Sequence, residues 1–349
     1  IRQRLSIYKD QIIMHTTFIV LRSPGILFYG MICLFVLPRS TEGAPFYYTT
    51  QSKSYRIGMI ADLDAKAKKG NDTWYSFFKH GYLTNEGEDK YSVKFDDEVL
   101  EVRSKLSYKL KGMELSDLIA FNDELYSCDD KTGVISRLNI TSTNVQPIPW
   151  VILSDGNGNE VKGFKCEWMT VKDDCLFVGG HGLKINQSKK TMYIKKISKD
   201  GAVEHISWVN QFEAIRKATG IKDRGYITHE AVNWSPIHKK WFFLPRKAST
   251  EEFDEVKDEL KGTNFLIKMN GDDIEVIRVG NTEKIESPSH GYSSFKFIPG
   301  SEEKHILALK SEEHNGNTAS YISVFDIMGK ILMPEIQIAD DKFEGIEFI

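Results

Sequence analysis

The chain reads as all-β: a five-bladed β-propeller with four-stranded blades, its ring closed by pairing of the C-terminal strand with the N-terminal blade. Three observations predict this. Short apolar runs alternate with turn signals such as "DD", "KDG", "MNGDD" and "MGK". A weak repeat of strand pairs recurs every 50 to 60 residues, with two pairs per unit. The last unit is split: "FEGIEFI" supplies one strand at the C-terminus, and "SYRIGMIADLD" from Ser54 begins with a strand that lacks a preceding partner. Placing these two side by side completes a fifth blade and removes the exposed sheet edges. An open β-sandwich with irregular repeats is the competing architecture.

Taken in order, the N-terminal segment differs from the rest. The stretch before Met14 reads as upstream translation. From Met14, one Arg precedes an apolar run from Gly25 to Leu37, and the small residues Gly43 and Ala44 follow. That is the outline of a secretory signal peptide over 1–44, leaving 45–349 as a single propeller domain. The competing reading, a membrane anchor from near Thr17, is interrupted by Arg22, Ser23 and Pro24. Export would agree with the sequons at Asn71, Asn139 and Asn186. Outside the signal only Cys128, Cys166 and Cys175 remain, so one disulfide or none is expected.

The repeats then open at Glu114, Cys166, His229 and Tyr292. Two helical insertions are expected between strands, "NQFEAIRKATG" from Asn210 and "TEEFDEVKDELKG" from Thr250. Each repeat opens with an oxygen-bearing residue in a matching place: Ser116, Glu167, Glu230, Ser293 and Glu344, spaced by 51, 63, 63 and 51 residues. In a propeller these positions converge on the axis. Three carboxylates and two hydroxyls or carbonyls suit a hard cation with many oxygen ligands, which is Ca²⁺ more than Zn²⁺. Second-strand exits carry Asp62 and Asp64, Asp129 and Asp130, Gly179 and Gly180, Arg246 and Lys247, and Lys310. Acids and cations gathered on one rim suit a metal-bound phosphate anhydride or ester. Salt bridging between blades is the plainer account of any one of them. There is no P-loop, no H-E-x-x-H and no G-x-S-x-G elbow. A net charge of -3 gives no general case for nucleic acid.

The motifs "IADLD", "KGMELSDL", "DDKTGV", "PWVILSDG", "KGFKCEW", "WFFLPRKAS", "HGYSSFKFIPG", "ALKSEE" and "EGIEFI" together resemble the calcium-activated nucleotidases, the bed-bug-type apyrases. The resemblance runs from about Tyr55 to Ile349. It implies a central Ca²⁺ on Ser116, Glu167, Glu230, Ser293 and Glu344, and Ca²⁺-dependent release of phosphate from nucleoside tri- and diphosphates such as ATP and ADP. It implies acidic catalytic residues at Asp62, Asp64, Glu114, Asp117 and Asp130. Substrate-binding positions would be Arg246, Lys310 and Lys165, with Trp168 either stacking on the base or buried in the core. The arthropod branch further implies a secreted enzyme, without stable membrane insertion, that removes extracellular ADP and ATP. Two alternatives stand beside it: a Golgi or endoplasmic-reticulum diphosphatase for UDP and GDP, and a non-catalytic nucleotide-binding propeller.

Overall fold

The computed structural model describes residues 52–183, 188–221 and 224–349, together with a short antiparallel pairing of Arg4–Leu5 with Met14–His15. The expected signal segment and the Asn186 sequon lie outside the described body. The described residues from Ser52 onward form one compact unit.

That unit is all-β, with five groups of four strands and a two-residue strand, Lys68–Lys69, paired with Thr73 and Trp74. The first joins β1 (Lys53–Ala61), β2 (Thr73–Gly87) and β3 (Lys90–Ser104) to the C-terminal strand β20 (Phe343–Phe348). The second holds β4 (Leu115–Phe121), β5 (Glu124–Asp129), β6 (Val134–Ile140) and β7 (Val145–Ile152). The third holds β8 (Trp168–Lys172), β9 (Cys175–Gly179), β10 (Tyr193–Ile197) and β11 (Val203–Ser207). The fourth holds β12 (Tyr226–Ser235), β13 (Lys240–Ser249), β14 (Phe265–Asn270) and β15 (Asp273–Arg278). The fifth holds β16 (His290–Phe297), β17 (His305–His314), β18 (Asn317–Asp326) and β19 (Ile331–Ala339). A single parallel pair, Val102 with Val145, fuses the first two groups into one sheet.

The split unit closes as expected. β20 runs antiparallel to β1, with Phe343 opposite Ala61 and Phe348 opposite Ile57. The first strands neighbour one another in succession: β4 with β8, β8 with β12, β12 with β16, β16 with β20, and β20 back to β4.

Each group is covered by apolar side chains on both faces, which is why its strands read as apolar runs rather than strict alternation. Ile60, Phe78 and Val102 pack against Leu115, Leu118 and Leu138 between groups one and two. Ile135 and Cys128 meet Met169 and Val178 between groups two and three. Trp168 and Met192 meet Phe243 and Ile267 between groups three and four. Phe242 and Leu266 meet Phe295 and Phe325 between groups four and five. Ile57 and Met59 meet Leu307 and Ile322 between groups five and one.

One disulfide joins Cys128 to Cys166, and Cys175 is free. The insertion after Trp208 folds as helix α1 (Val209–Ala218), burying Phe212 and Ile215. The second insertion is helical only over α2 (Glu255–Asp258), where the Asp254 carboxylate accepts from the Lys257 amide and starts the turn. The helix expected there is shorter because its apolar side chains Phe253, Val256 and Leu260 stay exposed, with no core surface to bury them.

Candidate functional site

A cavity of about 280 Å³ opens where the first strands begin and the second strands end. Its walls carry the carboxylates of Asp62, Asp64, Asp130, Glu167, Glu230, Asp258, Glu313 and Glu344, and the cations of Lys131, Lys165, Arg246, Lys247 and Lys342. The backbone stitches this rim together across groups. Asp62 forms a β-bridge with Glu114, its amide donates to the Lys342 carbonyl, and the Asp130 amide donates to the Glu114 carbonyl. Asp64 and Met113 adopt left-handed backbone at φ 48° and 58°, conformations that side chains with a Cβ hold only when the surroundings enforce them. The Asp64 amide donates to Asp62 Oδ1 at 2.8 Å, closing that turn.

Four cations hold the acids. Lys342 Nζ lies 2.9 Å from Asp62, 2.5 Å from Asp64 and 3.2 Å from Glu313. The Arg246 guanidinium reaches Glu230 at 2.6 Å, Glu344 at 2.9 Å and Glu313 at 3.0 Å. Lys165 bridges Asp130 at 2.7 Å and Glu167, while Lys131 bridges Asp130 at 2.8 Å and Glu114 at 2.7 Å. Arg246 and Lys342 are almost wholly buried, so these pairs are weakly screened.

The electrostatics show a surplus of negative charge. Burial pushes the Glu167 carboxyl up to about 8 against the pull of Lys165, with Glu230 and Asp130 adding repulsion. Burial likewise raises Glu114 to about 7 and Asp64 to about 6, in both cases aided by Asp62. Burial also raises Glu344 well above the usual range. Glu313 and Asp130 are the exceptions: Lys342 and Arg246 overcome burial at Glu313 and hold it down at about 2, and Lys165 and Lys131 overcome burial at Asp130 and lower it. Acids forced toward their neutral forms by burial and by one another are relieved by a hard cation. The donor set fits one. Ligand oxygens of Asp62, Asp64 and Glu114 lie within 4.8 Å of one another. The buried oxygens Ser116 Oγ and Asp130 Oδ1 have no hydrogen-bond partner.

Four of the five positions expected on the axis share a backbone feature. Ser116, Glu230, Ser293 and Glu344 each fall at a register shift in the first-strand ladder, where the residues on either side pair and the residue itself does not. A bulge of this kind turns a side chain out of the regular alternation. The fifth, Glu167, precedes β8, and its amide donates to the Gly179 carbonyl. The three glutamates line the cavity. Ser116 and Ser293 are buried beneath it, with Ser293 Oγ 3.4 Å from the Phe343 carbonyl.

Three expected site residues lie elsewhere. Asp117 is fully buried below the cavity, where its carboxylate accepts from the Met169 amide at 2.7 Å, the Leu118 amide at 2.8 Å and Ser294 Oγ at 2.9 Å. The bulge at Ser116 places it back in the ladder, so it fastens strands together. Trp168 is fully buried, its indole donating to the Gly180 carbonyl at 3.1 Å. It fills the space where Gly179 lacks a Cβ, so that glycine makes room for tryptophan rather than for a ligand. Lys310 turns away to pair with Glu335 at 2.8 Å in a separate cavity with His290, Tyr292 and Tyr321. Along β17 the alternation sends Ser311 and Glu313 toward the site and Lys310 and Glu312 away from it. Likewise, only Asp130 of the Asp129–Asp130 pair faces the cavity. Asp129 accepts from the Met113 and Lys131 amides at 2.8 and 2.9 Å and shapes the turn.

Sequence reasoning passed over Lys342, Lys131, Glu313 and Asp258. Lys342 immediately precedes the closing motif and Lys131 lies within "DDKTGV", so both stood beside recognised positions.

The Lys310–Glu335 pair gives a pH test remote from the main site. Burial alone would raise Glu335, but His290 and Lys310 hold it down at about 2. A depressed carboxyl stabilises the fold above its unfolded pKa, and that stability is lost as pH falls toward the folded value. Glu335→Gln is therefore expected to lower Tm at pH 7, with the gap from wild type closing as pH falls between about 4.5 and 2. A gap that is constant with pH would remove the ionic explanation.

The family model for apyrase matches residues 61–349. The chain is 46% identical over 307 residues to the soluble calcium-activated nucleotidase 1 of Rattus norvegicus, covering 84% of this chain and 74% of that protein. It is 42% identical over 309 residues to apyrase apy-1 of Caenorhabditis elegans, covering 85% of each. It is 38% identical over 331 residues to an apyrase of Phlebotomus duboscqi, covering 90% of this chain and 93% of that one. With a family match that takes in every carboxylate and cation of the cavity, this chain belongs to the apyrase family.

Proposed function

We propose that this chain is a secreted, Ca²⁺-dependent apyrase that hydrolyses the phosphoanhydride bonds of nucleoside tri- and diphosphates and releases inorganic phosphate. The observation that carries the reading is the cavity itself, where eight carboxylates meet five cations at the strand ends of a chain from this family. Arg246, Lys165 and Lys342 are placed to receive phosphate oxygens, exchanging some of their present carboxylate partners for them. Asp62, Asp64 and Asp130 line the same space, with Glu114 close behind Asp62 and Asp64, and these acids would orient the attacking water and take its proton. Bound Ca²⁺ would neutralise charge on the phosphates and on the acids. Ser116, Glu167, Glu230, Ser293 and Glu344 would hold it, a set supported by the bulges that fall at four of the five.

The five groups of strands are, in this reading, the blades of a five-bladed propeller about that ion. Support comes from the closed succession of first-strand neighbours. Exposed Asn71 and Asn139 are available for glycosylation on a secreted chain. No helix among the described residues is long and apolar enough to cross a membrane.

The test is phosphate release from ATP, ADP, UDP and GDP with Ca²⁺ titrated, with Mg²⁺, and with chelator. Turnover that rises with Ca²⁺ and falls to background in chelator is expected. Equal rates in all three conditions would refute the metal dependence, and binding of ADP without turnover would favour a non-catalytic binder.

A further inference from the structure

Seventeen residues line the cavity, and among them only Leu183 and Phe253 are apolar. Phe253 belongs to the insertion between β13 and β14, whose base is closed by the Ala248 amide donating to the Lys261 carbonyl at 2.9 Å. It is 52% exposed, yet it is held. The buried Tyr226 meets it edge-on, with ring centroids 5.6 Å apart at 76°. The Tyr226 hydroxyl donates to Asp258 Oδ1, and Asp258 Oδ2 accepts from Lys247 Nζ at 2.6 Å. The props that hold the ring therefore lead directly to Lys247, the neighbour of Arg246 and itself a wall of the cavity.

A nucleotide is a charged tail joined to a flat aromatic base. The tail needs the cations, and the base needs an apolar face beside them. Trp168, which the sequence offered for that role, is sealed in the core. We propose that Phe253 is the face on which the base of the substrate nucleotide stacks. The proposal rests on the reading that this cavity receives the nucleotide's phosphates. Every base has a π-face, so stacking binds purines and pyrimidines alike and contributes affinity without strict base choice.

The experiment compares wild type, Phe253→Ala and Phe253→Trp with Ca²⁺ present, measuring kcat and KM for ADP and inhibition by inorganic pyrophosphate, which has no base. Phe253→Ala is expected to raise KM for ADP by about tenfold or more, the usual scale of a lost base–aromatic stack. Its kcat should stay within about twofold, and Phe253→Trp should restore KM. Pyrophosphate should inhibit all three proteins equally. An unchanged KM overturns the proposal. So does a rise in KM that Trp fails to restore, or one matched by weaker pyrophosphate inhibition, since the ring would then be shaping the loop. A wild type that hydrolyses no nucleotide would instead overturn the apyrase reading itself, so the two failures are distinguishable.

Discussion

Removing residues 342–349 is expected to leave a chain that neither melts cooperatively nor hydrolyses ADP. Phe343 and Ile346 are fully buried against Ile57, Met59 and Leu309. Burial of side chains of this size contributes about 1.5–3 kcal/mol each. The deletion also strips β1 of one of its two ladder partners, leaving only β2, and exposes the edge of β4, against which β20 packs. It removes the Lys342 ammonium from Asp62, Asp64 and Glu313, leaving Asp62 buried without a cation. Together these losses are comparable with the whole stability of a typical domain, about 5–15 kcal/mol. A gentler variant separates closure from charge. At Gly345 a Cβ would lie 2.6 Å from the Asp117 carbonyl carbon and 2.6 Å from the Leu118 nitrogen, so only glycine lets β20 approach β4. Gly345→Ala should lower Tm and Ca²⁺-dependent activity together while keeping every charged side chain. A truncated protein with a native melt and Ca²⁺-dependent turnover would refute this account of the closing strand.

Replacing Arg246 with Ala should have the next largest effect, on stability and turnover at once. Its guanidinium serves Glu230, Glu313 and Glu344, and only Glu313 among the three is substantially exposed. Breaking a buried ion pair by removing one partner typically costs about 3–5 kcal/mol, because the other charge is stranded. Loss of a phosphate-binding cation at the reacting group should add a fall of about 10²–10³ in kcat/KM, the scale of removing one preorganised donor. Arg246→Lys keeps the charge but not the planar fork, and one ammonium cannot match the three contacts in the same geometry. It is expected to recover part of the Tm and little of the turnover. Circular-dichroism melts and ADP kinetics well below the melting range would check both. A kcat/KM for Arg246→Ala within threefold of wild type would place the phosphates elsewhere.

The two variants show how the same groups serve fold and chemistry. Glu344 belongs to the strand that closes the first group, and it is also held by Arg246 from the fourth. The disulfide works in the same direction. Cys128 precedes Asp129 and Asp130 on one chain segment, and Cys166 stands between Lys165 and Glu167 on another. The bond therefore fixes the two segments whose side chains meet in the Asp130–Lys165–Glu167 bridge.

Much of this was legible in the sequence because it depends on repetition. Paired apolar runs, recurring polar openings and a split last unit reveal an all-β body whose C-terminal strand pairs with β1. The spacing of Glu167, Glu230 and Glu344 reveals three carboxylates that the cavity brings together. "IADLD", "DDKTGV" and "WFFLPRKAS" place Asp62, Asp64, Asp130 and Arg246 on its walls. What tertiary structure alone decided is which neighbour of each motif points inward. Strand alternation makes a one-residue shift reverse a side chain's face, and the bulges at Ser116, Glu230, Ser293 and Glu344 impose such shifts at four of the proposed ligands. Asp117 is thereby turned into the interior, and Lys310 faces Glu335 instead of the cavity. Lys342 and Glu313 enter the site from segments that meet only when the first and fifth groups are packed together. A linear pattern encodes the period of each strand, but packing and hydrogen bonding across strands set its phase.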